Sequence, residues 1–363
     1  MKSATLREIA KHAGVHLSTA SHVLNGGRGS TRVSAETQSR VLESARILGY
    51  SADRAAQQLR TRRSRVIGLL VGGLENPFFA RMVSLCAEAL EQAGYEAILA
   101  ERRRDEPADE HLLTTLMARR LDGLLIWSET TTEARERLQQ PDMQNCVVIG
   151  YPVPGRDSVV AELHQGVEAA LEHLREQGRK RIGYLTPISA VSRYGDPRHA
   201  IYCEKMCAWR QPERVYAFEG SAFDLGTSRM HAEQLWRETP ASERPDALLC
   251  MNDMTAVGAL MGIRRAGGRV PEDVAIVGCD DLPIAAQMDV PLSSIAYPME
   301  AVCEAAVRLL LERLDGDERP RVEEARDRGQ GGEQYSSRQV YIPVEFRIRE
   351  SSLSGNKEIA KES

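Results

Sequence analysis

The first fifty residues place apolar side chains at the period of an α-helix in three short stretches. In "TLREIAKHAG", Thr5 stands three residues before Glu8, which is the reciprocal capping pattern of a helix start, and Gly14 and Gly49 end the first and third stretches. The side chains that we expect to pack together are Leu6, Ile9, Ala10 and Ala13; Ala20, Val23 and Leu24; and Val41, Leu42, Ala45 and Leu48. The pattern predicts three short helices, the third from Ser34 to Leu48, with a tight "GVH" turn between the first two.

From Val66 onward, apolar runs alternate with stretches of helical period. The runs are "VIGLLV", "YEAILA", "LDGLLI" and "CVVIGY", and then "RIGYL", "VYAF", "DALLCM" and "VAIVGC". Helical stretches include "PFFARMVSLCAEALEQAG" and "AVCEAAVRLLLERL", and "VYIPVEFRIRESS" is predicted to be a final strand. Such alternation indicates βαβ units, so we predict two lobes, each a doubly wound parallel sheet.

Charge is divided unevenly along the chain. Residues 1 to 65 hold 12 Lys or Arg against 4 Asp or Glu, which leaves 35 basic and 48 acidic residues in the rest. A basic segment on an acidic body indicates that the segment binds a polyanion. The alternative, a solvated charged tail, would not carry the apolar spacing of three helices.

Length and composition exclude several other classes. A chain of 363 residues is longer than one ordinary domain, and its longest apolar run is far shorter than the ~20 residues of a membrane span. The 7 cysteines lack the spacing of a disulfide framework, and for Cys203 and Cys207 in "CEKMC" helical packing is favoured over half of a metal site. We therefore expect a cytoplasmic protein with reduced thiols, no metal and no cofactor.

Three short helices with a tight turn between the first two describe a helix-turn-helix, whose second helix lies in the major groove of DNA. The outward side chains of that helix are small and polar, and compact hydroxyl and amide groups suit the reading of base edges by hydrogen bonds. The alternative is that a polar surface helix is simply solvated.

Several ordered segments carry a family resemblance. They are "TLREIAKHAGVHLSTASHVLNG", "VSAETQSRVLESARILGY", "RAAQQLRTRRSRVIGLLV" and "ENPFFA". Together they resemble the LacI/GalR family of bacterial transcriptional repressors. The resemblance implies a helix-turn-helix head on a periplasmic-binding-protein-like body. It also implies a homodimer on a pseudo-palindromic operator, nucleoid-associated when bound to DNA, with a small molecule that controls DNA affinity.

The resemblance also implies which residues contact DNA. The expected set is Thr5, Leu17, Ser18, Thr19, Ser21, His22, Asn25, Arg32, Arg54, Ala56 and Leu59. Leu59 is expected to wedge between base steps in the minor groove and kink the duplex. Arg32 lies in "GGRGSTR", either to touch phosphates or as part of a flexible loop. Two positions depart from the family pattern, since His22 replaces the usual Arg and His16 replaces a small hydroxyl residue.

Polar and aromatic residues follow the predicted strands, where parallel sheets bind their ligands. The expected effector-binding set is Asn76, Phe78, Phe79, Tyr151, Arg198, Phe223, Asn252 and Asp280, in which the resemblance places Asp280 and Arg198 at the family's carboxylate and arginine positions. We expect Asp253 and Asp281 to cap helices, and core packing is the alternative for Phe79. A carboxylate beside a guanidinium suits vicinal hydroxyls, so a sugar is predicted over a purine or a sugar phosphate.

The predicted organisation has four parts. Residues 1–50 form the helix-turn-helix domain, 51–65 the hinge, 66–350 the effector-binding and dimerisation body, and 351–363 a tail. An enzyme is a competing class, but the chain lacks G-x-S-x-G, a Walker-type loop, H-E-x-x-H and C-x-x-C. A sugar-binding protein with the head as an accessory module is the other alternative. A solute-binding transport protein would share the body, but it would carry an export signal and no basic head.

Overall fold

The computed structural model describes residues 4–24, 33–48, 63–101, 109–127, 136–191, 195–220, 224–316 and 337–354. The chain divides into a unit of Met1–Ser64 and a unit of Arg65–Ser363. The α-helices are α1 Leu6–Ala13, α2 Leu17–Leu24, α3 Ala35–Ile47, α4 Pro77–Gln92, α5 Asp109–Met117, α6 Leu163–Glu176, α7 Pro197–Ala208, α8 Leu225–Glu238, α9 Asp253–Arg265 and α10 Met299–Gly316. The strands are β1 Val66–Val71, β2 Glu96–Glu101, β3 Gly123–Trp127, β4 Cys146–Ile149, β5 Asp157–Glu162, β6 Ile182–Pro187, β7 Val215–Phe218, β8 Ala247–Cys250, β9 Ala275–Cys279, β10 Ser293–Ala296, β11 Gln339–Pro343 and β12 Glu345–Arg347.

The first unit contains α1, α2 and α3 around a small apolar core. That core consists of Ile9, Ala10, Ala13, Ala20, Val41 and Ala45. The predicted capping box opens α1, since Thr5 N donates to Glu8 Oε2 at 2.6 Å and Glu8 N donates to Thr5 Oγ1 at 3.3 Å. Gly14 ends α1 with φ 64°, a backbone conformation that costs glycine no side-chain clash.

One predicted core position of this unit is wrong. Leu42 is 55% exposed, and Ser44 takes the inward place instead with 4% exposure. His12 Nδ1 lies 2.9 Å from Ser44 Oγ, so a hydrogen bond between α1 and α3 satisfies the buried hydroxyl. A pattern based on hydrophobicity passes over such a position because it counts serine as polar.

The second unit contains two six-stranded sheets, in the orders β11-β5-β4-β3-β1-β2 and β12-β10-β9-β8-β6-β7. All neighbouring strands are parallel except β10 and β12, which are antiparallel. The inner strands β3, β4, β8 and β9 are buried along their whole length, as parallel strands covered by helices on both faces require. This arrangement is the predicted pair of doubly wound lobes.

The chain crosses between the two sheets at three points within the described residues: from β5 into α6, from β10 into α10, and from β11 into β12. The last crossing corrects the prediction of a single final strand, because "VYIPVEF" forms two strands in different sheets. Val344 lies between them and is buried against Gly166, where a Cβ would stand 2.4 Å from Val344 Cγ2. A glycine in α6 therefore permits this close approach.

No helix among the described residues combines the length and apolar character that crossing a bilayer requires.

Candidate functional site

The second helix of the first unit has an unusual residue, His16, immediately before its first residue, Leu17. Its backbone oxygen accepts from Thr19 N at 2.9 Å and from Ala20 N at 3.1 Å. Its ring Nδ1 lies 2.8 Å from Ser18 Oγ and accepts from Ser18 N at 3.4 Å. The imidazole thus serves as the N-cap acceptor of α2, a task usually performed by a small polar side chain.

The predicted DNA-contacting residues of the described region lie on α1 and α2. Thr5, Leu17 and Ser18 are exposed, with Leu17 40% exposed, and Thr19, Ser21 and His22 are half-buried. An exposed face of hydroxyl, imidazole and one apolar side chain is suited to contact with base edges and phosphates. The predicted residues Asn25, Arg32, Arg54, Ala56, Leu59 and Phe223 lie outside the described residues.

In the second unit, a cavity lies between the two sheets. The first lobe contributes Asn76, Phe78, Phe79, Trp127, Ile149, Gly150 and Tyr151; the second lobe contributes Pro197, Arg198, Met251, Asn252 and Asp280; and the crossings contribute Ala161, Leu163 and Tyr297. These residues lie mostly at or just beyond the carboxyl ends of strands, as open α/β sheets place their ligand sites. Every predicted effector residue within the described part of the chain lines this cavity.

Asp280 follows β9 and is 6% exposed. Its φ of 116° lies in a region that few residues other than glycine adopt, and its N–H donates to Ile295 O at 2.9 Å. Burial and the negative charge of Asp253 raise the pKa of its carboxyl well above the usual range, and the Arg198 guanidinium opposes this. The carboxyl therefore keeps its proton to a higher pH than an ordinary aspartate does.

Asp253 and Asp281 were expected to cap helices, and that expectation is wrong. Asp253 is fully buried, where its Oδ2 accepts from Leu282 N at 2.7 Å and its Oδ1 accepts from Ser294 Oγ at 2.6 Å. The carboxyl fits because Gly278 faces it, since a Cβ there would lie 2.2 Å from Asp253 Oδ1.

Asp281 pairs instead with two arginines that follow the last crossing. Its carboxylate lies 2.7 Å from Arg349 and 3.3 Å from Arg347. It therefore holds the segment after β12 to the end of β9 and leaves helix capping to other residues.

Asn252 is the residue that caps α9, because its Oδ1 accepts from Thr255 N at 2.8 Å. Asn76 caps α4 in the same way, since its Oδ1 accepts from Phe78 N at 3.0 Å. Both asparagines are 3% exposed and line the cavity. Each amide oxygen thus accepts one hydrogen bond from a helix, and each amide NH2 group is a donor that could serve a ligand.

Asp196 positions the predicted arginine. Its Oδ1 accepts from Arg198 Nε at 2.7 Å and from Arg198 N at 3.1 Å, at the start of α7. The Tyr184 hydroxyl donates to its other oxygen, and Asp196 is 4% exposed. The guanidinium is thereby held through its Nε, and its Nη1 lies 4.0 Å from Cys279 Sγ. Sequence reasoning missed both Asp196 and Tyr184.

Aromatic rings form much of the cavity wall. Phe78 meets Phe79 edge to face at 5.2 Å and Tyr297 at 5.0 Å between ring centres. Phe79, for which core packing was the alternative, is half-buried. Its ring rests on Gly72, where an added Cβ would lie 2.6 Å from the ring. Sequence reasoning also missed Trp127, although this residue directly follows the predicted strand "LDGLLI" and the rule on carboxyl ends applies to it.

Among the residues described, no three His, Cys, Asp or Glu side chains are grouped to hold a metal ion. Cys203 is half-buried with its Sγ 3.4 Å from His199 Nε2, and Cys207 is exposed. Burial raises the pKa of the Cys203 thiol to about 11, so this thiol stays protonated at neutral pH.

A three-helix head and a two-lobed body with a cavity between its sheets define a DNA-binding regulator of transcription with a ligand-binding body. The lacI family of bacterial regulatory proteins matches residues 5–53, and the periplasmic binding protein-like domain matches residues 171–352. The HTH-type transcriptional repressor PurR of Aliivibrio salmonicida (strain LFI1238) is 31% identical over 315 residues, which cover 86% of this chain and 92% of the relative. The chain belongs to the lacI family of bacterial regulatory proteins.

Solved structures agree on the fold. The lac repressor dimer bound to operator and the anti-inducer ONPF matches with a TM-score of 0.80 and 24% identity, covering 97% of this chain and 100% of that one. The complex of the transcriptional regulator CelR with cellobiose matches with a TM-score of 0.64 and 25% identity, covering 96% and 99%. These structures confirm the predicted fold class, and the lacI family match together with the PurR relative confirms the prediction of a transcriptional regulator.

Proposed function

We propose that the protein is a repressor that binds a pseudo-palindromic operator as a homodimer, and that a sugar in the cavity controls its affinity for DNA. The observation that supports a sugar effector is the placement of Asp280 and Arg198 on one wall of the cavity. A carboxyl group and a fork-shaped donor side by side suit the paired oxygens of vicinal hydroxyls. The site of action is the cytoplasm, on the nucleoid.

The DNA half of the proposal rests on α2 and on the segments that follow the head. Residues 1–50 are the DNA-binding domain, 51–65 the hinge, 66–350 the effector-binding and dimerisation body and 351–363 the tail. The proposed contacts are Thr5, Leu17, Ser18, Thr19, Ser21 and His22, with Asn25, Arg32, Arg54, Ala56 and Leu59 from the segments outside the described residues. The lac repressor dimer on its operator is a structural neighbour that supports this geometry at the level of the fold.

A sugar is favoured by the mixture of polar and aromatic groups in the cavity. Phe79, Tyr151 and Tyr297 offer ring faces for the apolar side of a pyranose, while Asp280 and Arg198 bind hydroxyls at its edge. The relative CelR was solved with cellobiose. This likeness supports a carbohydrate effector.

A planar nucleobase is the second candidate effector. The observation that favours it is the number of aromatic side chains, since Phe78, Phe79, Trp127, Tyr151 and Tyr297 all line the cavity. Stacked rings recognise flat heterocycles as well as sugar faces. The polar side chains Asp280 and Arg198 favour the sugar over the nucleobase, because they suit vicinal hydroxyls.

Control of DNA affinity follows from the position of the cavity between the lobes. A ligand that contacts both walls favours the arrangement in which the walls are closest, and only this differential affinity shifts the equilibrium. By linkage, the ligand then changes DNA affinity by the same factor by which DNA changes ligand affinity. We expect the ligand to lower the affinity for DNA and so release it. The alternative is corepression, in which the ligand raises that affinity.

A thermal-shift screen tests the effector assignment. Sugars, sugar phosphates, nucleosides and purine bases are added to the purified full-length protein, where a ligand at a hundredfold its dissociation constant stabilises by about 2.7 kcal/mol. We expect a sugar to raise the melting temperature of the wild type and to fail with Asp280→Asn and with Arg198→Gln. Asp289→Asn, an exposed acidic residue of the same lobe, is the matched control. A shift by a purine base and by no sugar would contradict the sugar assignment.

A further inference from the structure

Trp127 carries a buried donor that the protein does not use. It is the last residue of β3, it is 7% exposed, and it lines the cavity. Within the described residues, nothing accepts a hydrogen bond from its Nε1. Buried N–H groups almost always have partners, and one without a partner is destabilising in the ligand-free protein. An orphaned donor in the wall of a ligand cavity therefore points to an acceptor on the ligand.

The neighbours of Trp127 explain why the indole finds no acceptor in the protein. On the adjacent strand it pairs with Ile149, and it packs in an apolar cluster with Phe78. The asparagine oxygens of the cavity are already taken, because Asn76 and Asn252 use them to cap α4 and α9. Within the described residues, the indole Nε1 therefore has no acceptor in reach.

The cavity wall contains several other hydrogen-bond donors. Helices α4, α7 and α9 begin at the cavity, where Asn76, Pro197 and Asn252 line it. The positive ends of three helix dipoles add to the amide donors and to Arg198. Such a wall favours a ligand with several acceptor oxygens, and an orphaned indole N–H is one more donor of the same kind.

We propose that Trp127 is a specificity-determining residue whose Nε1–H donates to a hydroxyl or ring oxygen of the bound sugar. This contact comes from the first lobe, whereas Asp280 and Arg198 bind the sugar from the second. One ligand thereby joins the two lobes through hydrogen bonds at both of its ends. The inference rests on the proposed function, because it specifies the contacts of that same sugar.

The indole N–H signal tests this directly by NMR. The chain has 3 tryptophans, and Trp209 and Trp236 do not line the cavity, so their signals are internal controls. Trp127→Phe assigns the Trp127 signal in the ¹⁵N-labelled full-length protein, which is then titrated with glucose, galactose and cellobiose. We expect a sugar that binds to move the Trp127 indole proton downfield and to leave the other two signals in place.

A chemical double-mutant cycle identifies the oxygen that accepts. Affinities of the wild type and of Trp127→Phe are measured for glucose and for its monodeoxy analogues. Removal of one oxygen is expected to weaken wild-type binding about five- to tenfold. Trp127→Phe should bind glucose more weakly than the wild type does, by a similar factor. Removal of the same oxygen from the sugar should not weaken the binding of Trp127→Phe any further. Trp209→Phe, a ring that lies beneath the Arg175 guanidinium, is the control and should behave as the wild type.

Two outcomes overturn the inference and are distinct from a failure of the proposed function. The first is a sugar that binds and leaves the Trp127 indole signal unchanged. The second is a cycle in which the losses from Trp127→Phe and from every monodeoxy analogue simply add. Should no sugar bind the wild type at all, the sugar assignment itself is contradicted, and the contact with Trp127 falls with it.

Discussion

Asp280 and Asp253 are two buried carboxyl groups of the second lobe, and Asp280 lines the cavity. Asp280 has a φ of 116° and the following Asp281 has a φ of 53°, so two successive residues occupy the left-handed half of backbone space. Such conformations cost free energy and concentrate at functional sites. Here the backbone geometry sets Asp280 against the cavity while Asp281 turns away to its arginines.

The buried pair predicts how stability depends on pH. Burial raises the pKa of Asp253 to about 7 from an unfolded value of 3.8, against the hydrogen bonds from Ser294 and Leu282. Between those two pH values the folded state holds more protons than the unfolded state, so stability falls as pH rises through that window. Asp253→Asn, which carries no charge, should be more stable than the wild type at about pH 8 by about 1–3 kcal/mol. Near pH 4 this advantage should vanish.

Urea unfolding at several pH values measures this difference, with Asp289→Asn as the matched exposed control. Asparagine keeps one acceptor oxygen for Leu282 N, so packing is largely preserved. Wild-type and Asp253→Asn stabilities that follow parallel curves from pH 4 to about 8 would contradict the buried-charge account.

Single residues show both the reach and the limit of sequence reasoning. The rule that ligands bind beyond the carboxyl ends of strands leads to Asn252 and Asp280, because it needs only the order of residues along the chain. The roles of Asp253 and Asp281 could not be predicted in that way. Their partners, Ser294 and Arg349, lie on segments far along the chain, and only the folded sheet brings them together.

Among the elements, α2 depends on a histidine at its start. His16→Ala removes the ring nitrogen that accepts from Ser18 N, and the loss of an N-cap costs about 1 kcal/mol. We therefore expect amide hydrogen exchange in α2 of the full-length protein to become about fivefold faster. His16→Ser supplies a standard capping hydroxyl and should restore the wild-type rate. Equal exchange in all three proteins would show that the imidazole does not cap this helix.

The last two strands show why some elements are hidden from the sequence. The alternating pattern of "VYIPVEF" fits one continuous strand, and nothing local marks a change of sheet. Long-range partners decide it, since β11 pairs with β5 in the first lobe and β12 pairs with β10 in the second. Elements with strong local patterns, such as α4 and β1, were predictable because their period alone determines them.

At the scale of the whole molecule, the two parts of the chain differ in net charge and in architecture. The basic residues 1 to 65 carry a net +8 (12 − 4), and the remainder carries a net −13 (35 − 48). An acidic body is repelled by DNA, so nonspecific attraction is confined to the head and the segment after it. The body contributes the cavity, whose walls come from two lobes joined by three crossings of the chain. A ligand between the lobes is therefore placed to alter the arrangement of the body itself.

The most direct test of this account is the reciprocity between sugar and operator. Operator duplexes are selected from random sequences, and their affinity for the full-length protein is measured by fluorescence anisotropy with and without the sugar found in the thermal screen. We predict a change of about 5- to 150-fold in operator affinity, an equal change in sugar affinity when operator is saturating, and neither change in Asp280→Asn. A sugar that occupies the cavity and leaves operator affinity unchanged would contradict the account.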